Sequence, residues 1–194
     1  MKRILLALLI ASSVASARAS IFQYIVNLNG ANAGTTSLGT GTGTVIYDNV
    51  AHSLQLQVNF SGLTGTTTAS HIHSPTATPF SGTAGVATTT PSFASFPLGV
   101  SSGSFANTLD LTQASSWNAA YVTANGGTTA GAEAAFASQI AAGRAYWNIH
   151  SSFAPGGEIN GFLVAVPEPS SLALVGLGVF GMTARAWSQR RSKP

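Results

Sequence analysis

Alternation of apolar and polar residues is the main pattern in the middle of the chain. It is clearest at Ser53–Phe60, where Leu54, Leu56 and Val58 alternate with glutamine and asparagine residues. Side chains of a β-strand point alternately to opposite faces, so this pattern predicts a strand with one buried face. Other runs rich in β-branched and aromatic residues predict further strands. These runs are Ile21–Leu28, Gly41–Asp48, Ser70–Ser74, Ser102–Leu109, Ala145–His150 and Gly157–Val164.

Two segments depart from the period of two and predict helices. Thr129–Ala142 is rich in alanine and is followed by Gly143, a residue that commonly ends a helix. Thr112–Val122 predicts a shorter helix with Thr112 as its N-cap. Several short strands with one or two short helices favour an antiparallel β-sandwich, with a closed barrel as the alternative.

The first 19 residues have the three-part pattern of a secretory signal peptide. Lys2 and Arg3 precede an apolar run over residues 4–14, and small residues follow in two A-x-A arrangements. The apolar run is shorter than the roughly 20 residues that span a bilayer, so we expect removal by signal peptidase. Cleavage after Ala19 is favoured, with Ala17 as the alternative, and an ordinary buried helix is the competing interpretation.

Residues 166–194 form a tail with a different composition. An apolar helix is predicted over residues 171–187, and four basic residues follow Ala184. The uncharged stretch at 169–184 would be roughly 24 Å long as a helix, against about 30 Å for a bilayer core. Basic residues after an apolar helix favour the cytoplasmic side, which leaves the preceding domain outside. The tail alone therefore predicts only a marginal membrane anchor.

Pro167, Glu168 and Pro169, the apolar helix and the terminal arginines together resemble the PEP-CTERM sorting signal of Gram-negative bacteria. The resemblance implies export across the inner membrane, processing by an exosortase-type protease and transient anchoring by the tail. It also implies a place at the cell surface or outside the cell, in association with exopolysaccharide or biofilm.

Charge is concentrated in the two ends of the chain. The whole chain has a net charge of +3, but residues 20–166 contain four acidic residues and one arginine, a net charge of −3. The basic isoelectric point therefore belongs to the targeting segments and does not indicate a nucleic-acid partner. The chain has no cysteine, so the exported domain is not a disulfide scaffold.

Four segments of residues 20–165 resemble the CHRD domain, which is named after the extracellular protein chordin. The segments are Ser61–Leu63, Ser70–His73, Gly143–His150 and Pro155–Gly161. The resemblance implies an immunoglobulin-like β fold and a role in extracellular binding. The chain departs from the family at Asn160, where arginine is frequent, and at Trp147, where a small aliphatic residue is frequent.

The candidate metal ligands are His71, His73 and His150. The segments His71–Ser74 and Asn148–Ser151 share the pattern [His/Asn]-Ile-His-Ser, which suggests that they are neighbouring strands. His-x-His on a strand places both imidazoles on one face, so the three histidines would converge, with Glu158 nearby. Such a set suits zinc or copper. The alternative is a buried polar ladder in which histidine and asparagine side chains pair with one another.

No catalytic constellation is recognisable. There is no G-x-S-x-G motif, the carboxylates suggest no glycosidase pair, and Gly39–Gly43 lacks the lysine of a phosphate loop. We therefore expect a non-enzymatic exported protein that binds polysaccharide, a surface protein or itself, or that is purely structural. The alternative is a metal-binding protein or metalloenzyme that uses the three histidines; no other cofactor is expected.

Overall fold

A computed structural model describes residues 21–167, which form eight strands and three short helical segments. The helical segments are a 3₁₀ turn at Ala114–Ser116, α1 at Ala119–Ala124 and α2 at Thr129–Ala141. The strands are β1 Ile21–Asn29, β2 Thr40–Asp48, β3 Ser53–Ser61, β4 Thr67–His73, β5 Gly103–Asp110, β6 Tyr146–Ser151, β7 Ile159–Phe162 and β8 Val164–Ala165. Each predicted strand is therefore present, and the last prediction is divided into β7 and β8.

Helix α2 begins at Thr129 as predicted, whereas α1 begins later than the sequence-based expectation. Asn118 caps α1 by accepting from the Ala120 amide at 2.9 Å, and Thr128 caps α2 by accepting from the Gly131 amide at 3.0 Å. The prediction that Thr112 is an N-cap is wrong. Its backbone and hydroxyl groups donate to the Asp110 carboxylate, which forms a turn before the helix begins.

The strands form one antiparallel sheet in the order β4-β6-β7-β1-β2-β3-β5, and β8 pairs with β1. Long hairpins join β1, β2 and β3, with nine paired positions between each neighbouring pair. The buried positions of β3 are those that the alternation predicted, beginning with Leu54 and Leu56. Within the described residues, β4 and β5 are the two ends of this order.

The sheet folds over on itself, so strands from its two ends face each other across one core. Trp147 of β6 is fully buried, and its ring contacts Phe105 of β5 edge-on. Phe93, from the segment that connects β4 to β5, packs between the two ends against both rings. The mainly β, sandwich-like fold with short helices is therefore confirmed.

The two predicted terminal helices lie outside the described residues, as do Ala19, Glu168 and Pro169. Pro167 is the last described residue and is exposed. No helix within residues 21–167 has the length and apolar character needed to cross a membrane.

Candidate metal centre

Strands β4 and β6 bring the three candidate histidines together. In their antiparallel register, His71 lies opposite Asn148, His73 opposite Tyr146, and His150 opposite Ala69. The predicted pairing of the two similar segments is therefore correct. Because side chains alternate along a strand, Ile72 and Trp147 point into the apolar core, and the histidines occupy the other face.

Loops on either side of the two strands cover this second face. His71 and His73 are buried, and His150 is half-buried. The segment after β4 contributes two backbone carbonyls, and the turn between β6 and β7 contributes a third. The histidines therefore lie between the sheet and two loops, which partly shield them from solvent.

Each imidazole uses its Nδ1 atom in the same way. Nδ1 of His71 is 3.2 Å from the carbonyl oxygen of Pro91, Nδ1 of His73 is 2.8 Å from that of Ala84, and Nδ1 of His150 is 2.8 Å from that of Pro155. A carbonyl oxygen can only accept, so each Nδ1 carries the proton and each neutral ring keeps a free lone pair on Nε2.

Few hydrogen-bond donors lie within reach of the three Nε2 atoms. His71 Nε2 and His150 Nε2 are 2.8 Å apart, although both rings already place their proton on Nδ1. His73 Nε2 is buried and has no hydrogen-bond partner among the described residues. Within residues 21–167, the only side chain that donates to the group is Asn148, whose Nδ2 is 3.2 Å from His150 Nε2. The cluster thus has three acceptors and one donor.

Protonation does not resolve this imbalance near neutral pH. Burial, reinforced by the neighbouring His150 and His73, lowers the pKa of His71 to about 3. Burial also lowers the pKa of His73 and of His150 below the ordinary value. All three rings are therefore neutral at pH 7, which is the form that binds a metal ion.

A cation among the Nε2 atoms would satisfy all three lone pairs. One ring nitrogen of each histidine lies within 4.8 Å of the others. Two imidazole nitrogens on a tetrahedral zinc ion, each bonded at 2.0–2.1 Å, are about 3.3 Å apart, so small side-chain rotations complete the site. A hydrogen bond from Nδ1–H to a carbonyl is the usual support of a metal-bound histidine. The residues present therefore fit zinc or copper.

Glu158 belongs to a separate cluster and does not join the histidines. Its fully buried carboxylate accepts from the Ser37 hydroxyl at 2.5 Å, from the Ser151 hydroxyl, and from the amides of Thr64 and Gly65 at 2.5 and 3.1 Å. Burial opposes ionisation, but these four hydrogen bonds outweigh it and hold the pKa of Glu158 below the ordinary value. The expectation that Glu158 lies near the histidines as a ligand is therefore wrong.

One pairing was missed by sequence reasoning. His52 Nδ1 lies 2.8 Å from Glu133 Oε2, and the Tyr47 hydroxyl donates to Glu133 Oε1 at 3.0 Å. These contacts join the β2–β3 turn to α2. No local signal could have revealed them, because 81 residues separate His52 from Glu133.

Comparison with protein families gives two matches along the chain. A family model described as the CHRD domain matches residues 24–163, and a model described as the PEP-CTERM protein-sorting motif matches residues 165–191. Neither the curated proteins nor the solved structures include a significant match to the chain.

Proposed function

The chain belongs to the CHRD domain family and carries a PEP-CTERM sorting motif, and from this premise we propose that its exported domain binds one zinc or copper ion. The ligands are Nε2 of His71, His73 and His150. The sorting motif makes the chain an exported protein that an exosortase processes. Metal binding would then take place outside the inner membrane.

The observation that carries the proposal is the uniform orientation of the three rings. All three donate Nδ1–H to a backbone carbonyl, so all three lone pairs are directed away from those carbonyls. A polar ladder, the competing interpretation, would pair these acceptors with donors. Instead, two of them face each other at 2.8 Å and the third has no partner within the described residues.

The proposed role is binding rather than catalysis. Glu158 is the acidic residue closest in sequence to His150, and its carboxylate is fully engaged by four donors. It therefore cannot act as a general base for a metal-bound water without breaking a buried network.

Metal content tests the proposal. The purified full chain is loaded with Zn²⁺ or Cu²⁺, dialysed, and analysed by inductively coupled plasma mass spectrometry. We expect close to one ion per chain in the wild type and a background level in His73→Phe. The matched control, His52→Gln, removes a histidine outside the cluster and should retain the wild-type content. A wild-type chain that retains no metal would overturn the proposal.

A second candidate function is binding of a neutral polysaccharide on the outer face of the sheet. The middle of this face is lined by uncharged amide and hydroxyl side chains, including the cross-strand pairs Thr44–Gln57 and Thr42–Asn59. Asp48 and Asp110 lie at one end of it. Two shallow depressions of about 330 and 340 Å³ lie along it. Amide and hydroxyl groups of this kind form hydrogen bonds with sugar hydroxyls, and they need no charge on the polysaccharide.

Co-sedimentation with neutral and acidic polysaccharides tests this second candidate. The double variant Gln57→Glu/Asn59→Asp introduces two charges in the middle of the face, and Gln113→Glu is an exposed control outside it. We expect the neutral polysaccharide to sediment the wild type and the control but not the double variant. Equal sedimentation of all three would exclude the face as the binding surface.

A further inference from the structure

Asn148 is a buried polar residue beside the three histidines, and it is not a ligand in the proposed metal site. Its side chain is 2% exposed, and Nδ2 lies between two acceptors, the Gly156 carbonyl oxygen at 3.1 Å and His150 Nε2 at 3.2 Å. Each of the two amide protons is therefore directed at one of these acceptors. One of those atoms, His150 Nε2, is a proposed metal ligand.

We infer that the bound metal ion keeps a fourth coordination position, that this position takes a small anion, and that Asn148 donates a hydrogen bond to the anion. This inference rests on the proposed metal binding. It adds a class of exogenous ligand and a positioning residue for that ligand.

Metal binding removes one of the two acceptors of the Asn148 side-chain amide. When the lone pair of His150 Nε2 binds the metal, the Asn148 proton that it accepted has no acceptor left. An N–H group carries partial positive charge, so it cannot coordinate the ion beside it. An anion on the metal would accept this proton and would also offset the charge that three neutral imidazoles leave unbalanced.

The Asn148 side-chain amide has a fixed orientation. Turning it over would place Oδ1 against the Gly156 carbonyl oxygen, which brings two acceptors together. Asn148 Oδ1 is therefore held away from the metal, where it is buried and has no hydrogen-bond partner among the described residues. The side chain presents a donor to the site, and Asn148 is not the fourth ligand.

Gly157 provides room for the Asn148 side chain, and His150 lies where solvent reaches the proposed metal site. At Gly157, which has a φ of +127°, a Cβ atom would collide with the Asn148 side-chain amide. Glycine thus leaves room for Asn148 to reach His150. His150 is the least buried of the three histidines, so the site is reached from solvent on its side. Three histidine ligands with an open fourth position are typical of zinc sites that bind exogenous ligands.

Azide binding to the copper-loaded full chain tests the inference. Azide is titrated into the Cu²⁺ form, and the azide-to-copper charge-transfer absorption and the electron paramagnetic resonance spectrum are recorded. We expect saturable binding in the wild type. Loss of one charge-assisted hydrogen bond should weaken azide binding about tenfold or more in Asn148→Ala. The control, Asn160→Ala, changes the residue opposite Asn148 on β7 and should leave azide binding unchanged.

The variant Asn148→Asp replaces the amide donor by a carboxylate, which repels azide, and the copper content of both Asn148 variants shows whether the metal site has formed. We expect Asn148→Asp to abolish azide binding. A wild-type chain that holds copper but shows no azide spectrum overturns the inference and leaves the proposed metal binding intact. Equal azide affinity in the wild type and both Asn148 variants overturns the role of Asn148. Failure to retain copper at all overturns the proposed function itself.

Discussion

Two buried polar clusters border strand β6, and they differ in hydrogen-bond balance. In the glutamate cluster, one carboxylate, that of Glu158, receives four hydrogen bonds, from two hydroxyl groups and two backbone amides. In the histidine cluster, three Nε2 acceptors share one donor, the amide of Asn148. The two clusters are close in sequence, since Ser151 of the first follows His150 of the second.

The proposal of a structural role for the glutamate cluster and a binding role for the histidine cluster rests on this difference in hydrogen-bond balance. Buried polar groups are almost always paired, so a complete network such as that of Glu158 needs no further partner and joins the loops around it. Convergent acceptors that lack donors lower the stability of the metal-free protein, because burial has removed their hydrogen bonds to water. The proposed cation would balance the acceptors of the histidine cluster, whereas the glutamate cluster already has its donors.

The largest expected effect is metal-dependent stabilisation. A ligand that binds only the folded state at a thousandfold excess over its dissociation constant stabilises it by about 4 kcal/mol. We expect saturating Zn²⁺ to raise the free energy of unfolding by about this amount in the wild type and in Glu158→Gln, but not in His73→Phe. Urea titrations with and without metal measure the difference. Equal stabilisation of His73→Phe would break the distinction between the clusters.

The second-largest expected effect is the fall in the free energy of unfolding when the glutamate cluster is disrupted. In Glu158→Gln, an amide group replaces one carboxylate oxygen and faces donors, so at least one buried hydrogen bond is lost with no substitute. We expect the free energy of unfolding of the metal-free chain to fall by about 3 kcal/mol, measured by urea denaturation. Glu133→Gln is the matched comparison and should cost less, because its partner His52 is half-exposed. A change below about 1 kcal/mol in Glu158→Gln would contradict a structural role.

Acidification should affect the two clusters in separate pH ranges. The histidine pKa values are lowered in the folded state, so below about pH 6.5 the unfolded chain binds protons that the folded chain does not. We expect the metal-free chain to lose about 1 kcal/mol between pH 6.5 and 5.5 through His71, and His73 and His150 to add to this loss.

The glutamate contribution follows at lower pH. The pKa of Glu158 is lowered in the folded state, so its stabilisation is complete above the unfolded value near 4.5 and is lost as the pH falls further. Urea midpoints between pH 7 and 3.5 should show the upper loss in the wild type and Glu158→Gln alike, and the lower loss mainly in the wild type. A metal-free chain with constant stability from pH 7 to 5 would contradict the account of the histidines.

The smallest expected effect is that of His73→Phe on the metal-free chain. Phenylalanine keeps the stacking of this ring on Tyr146, at 4.8 Å between centroids, and removes a buried acceptor that has no partner among the described residues. It also removes the Nδ1–H donor to the Ala84 carbonyl oxygen, which the Tyr146 hydroxyl still reaches at 3.5 Å. We expect its free energy of unfolding to stay within about 1 kcal/mol of the wild type or to rise. Thermal and urea unfolding of the metal-free proteins measure this. A loss of several kcal/mol would indicate that the histidine cluster holds the fold together.

Sequence patterns predicted the parts of the site that depend on strand geometry. The period of two placed His71 and His73 on one face, and the repeated [His/Asn]-Ile-His-Ser pattern predicted that their strand pairs with that of His150. The carbonyls of Ala84, Pro91 and Pro155 could not be predicted, because they lie in irregular loops without a period. The same holds for the partners of Glu158, since Ser37 is 121 residues away along the chain.

X-ray absorption spectroscopy at the metal edge tests the central claim most directly. It is recorded on the full chain loaded with one equivalent of Zn²⁺. The account predicts three imidazole nitrogens at about 2.0–2.1 Å and a fourth light ligand in the wild type. Because His73→Phe does not retain the ion, the Zn²⁺ added to it should show only the oxygen ligands of the hydrated ion. A first shell of oxygen ligands alone, or the same spectrum in His73→Phe, would contradict a metal centre at His71, His73 and His150.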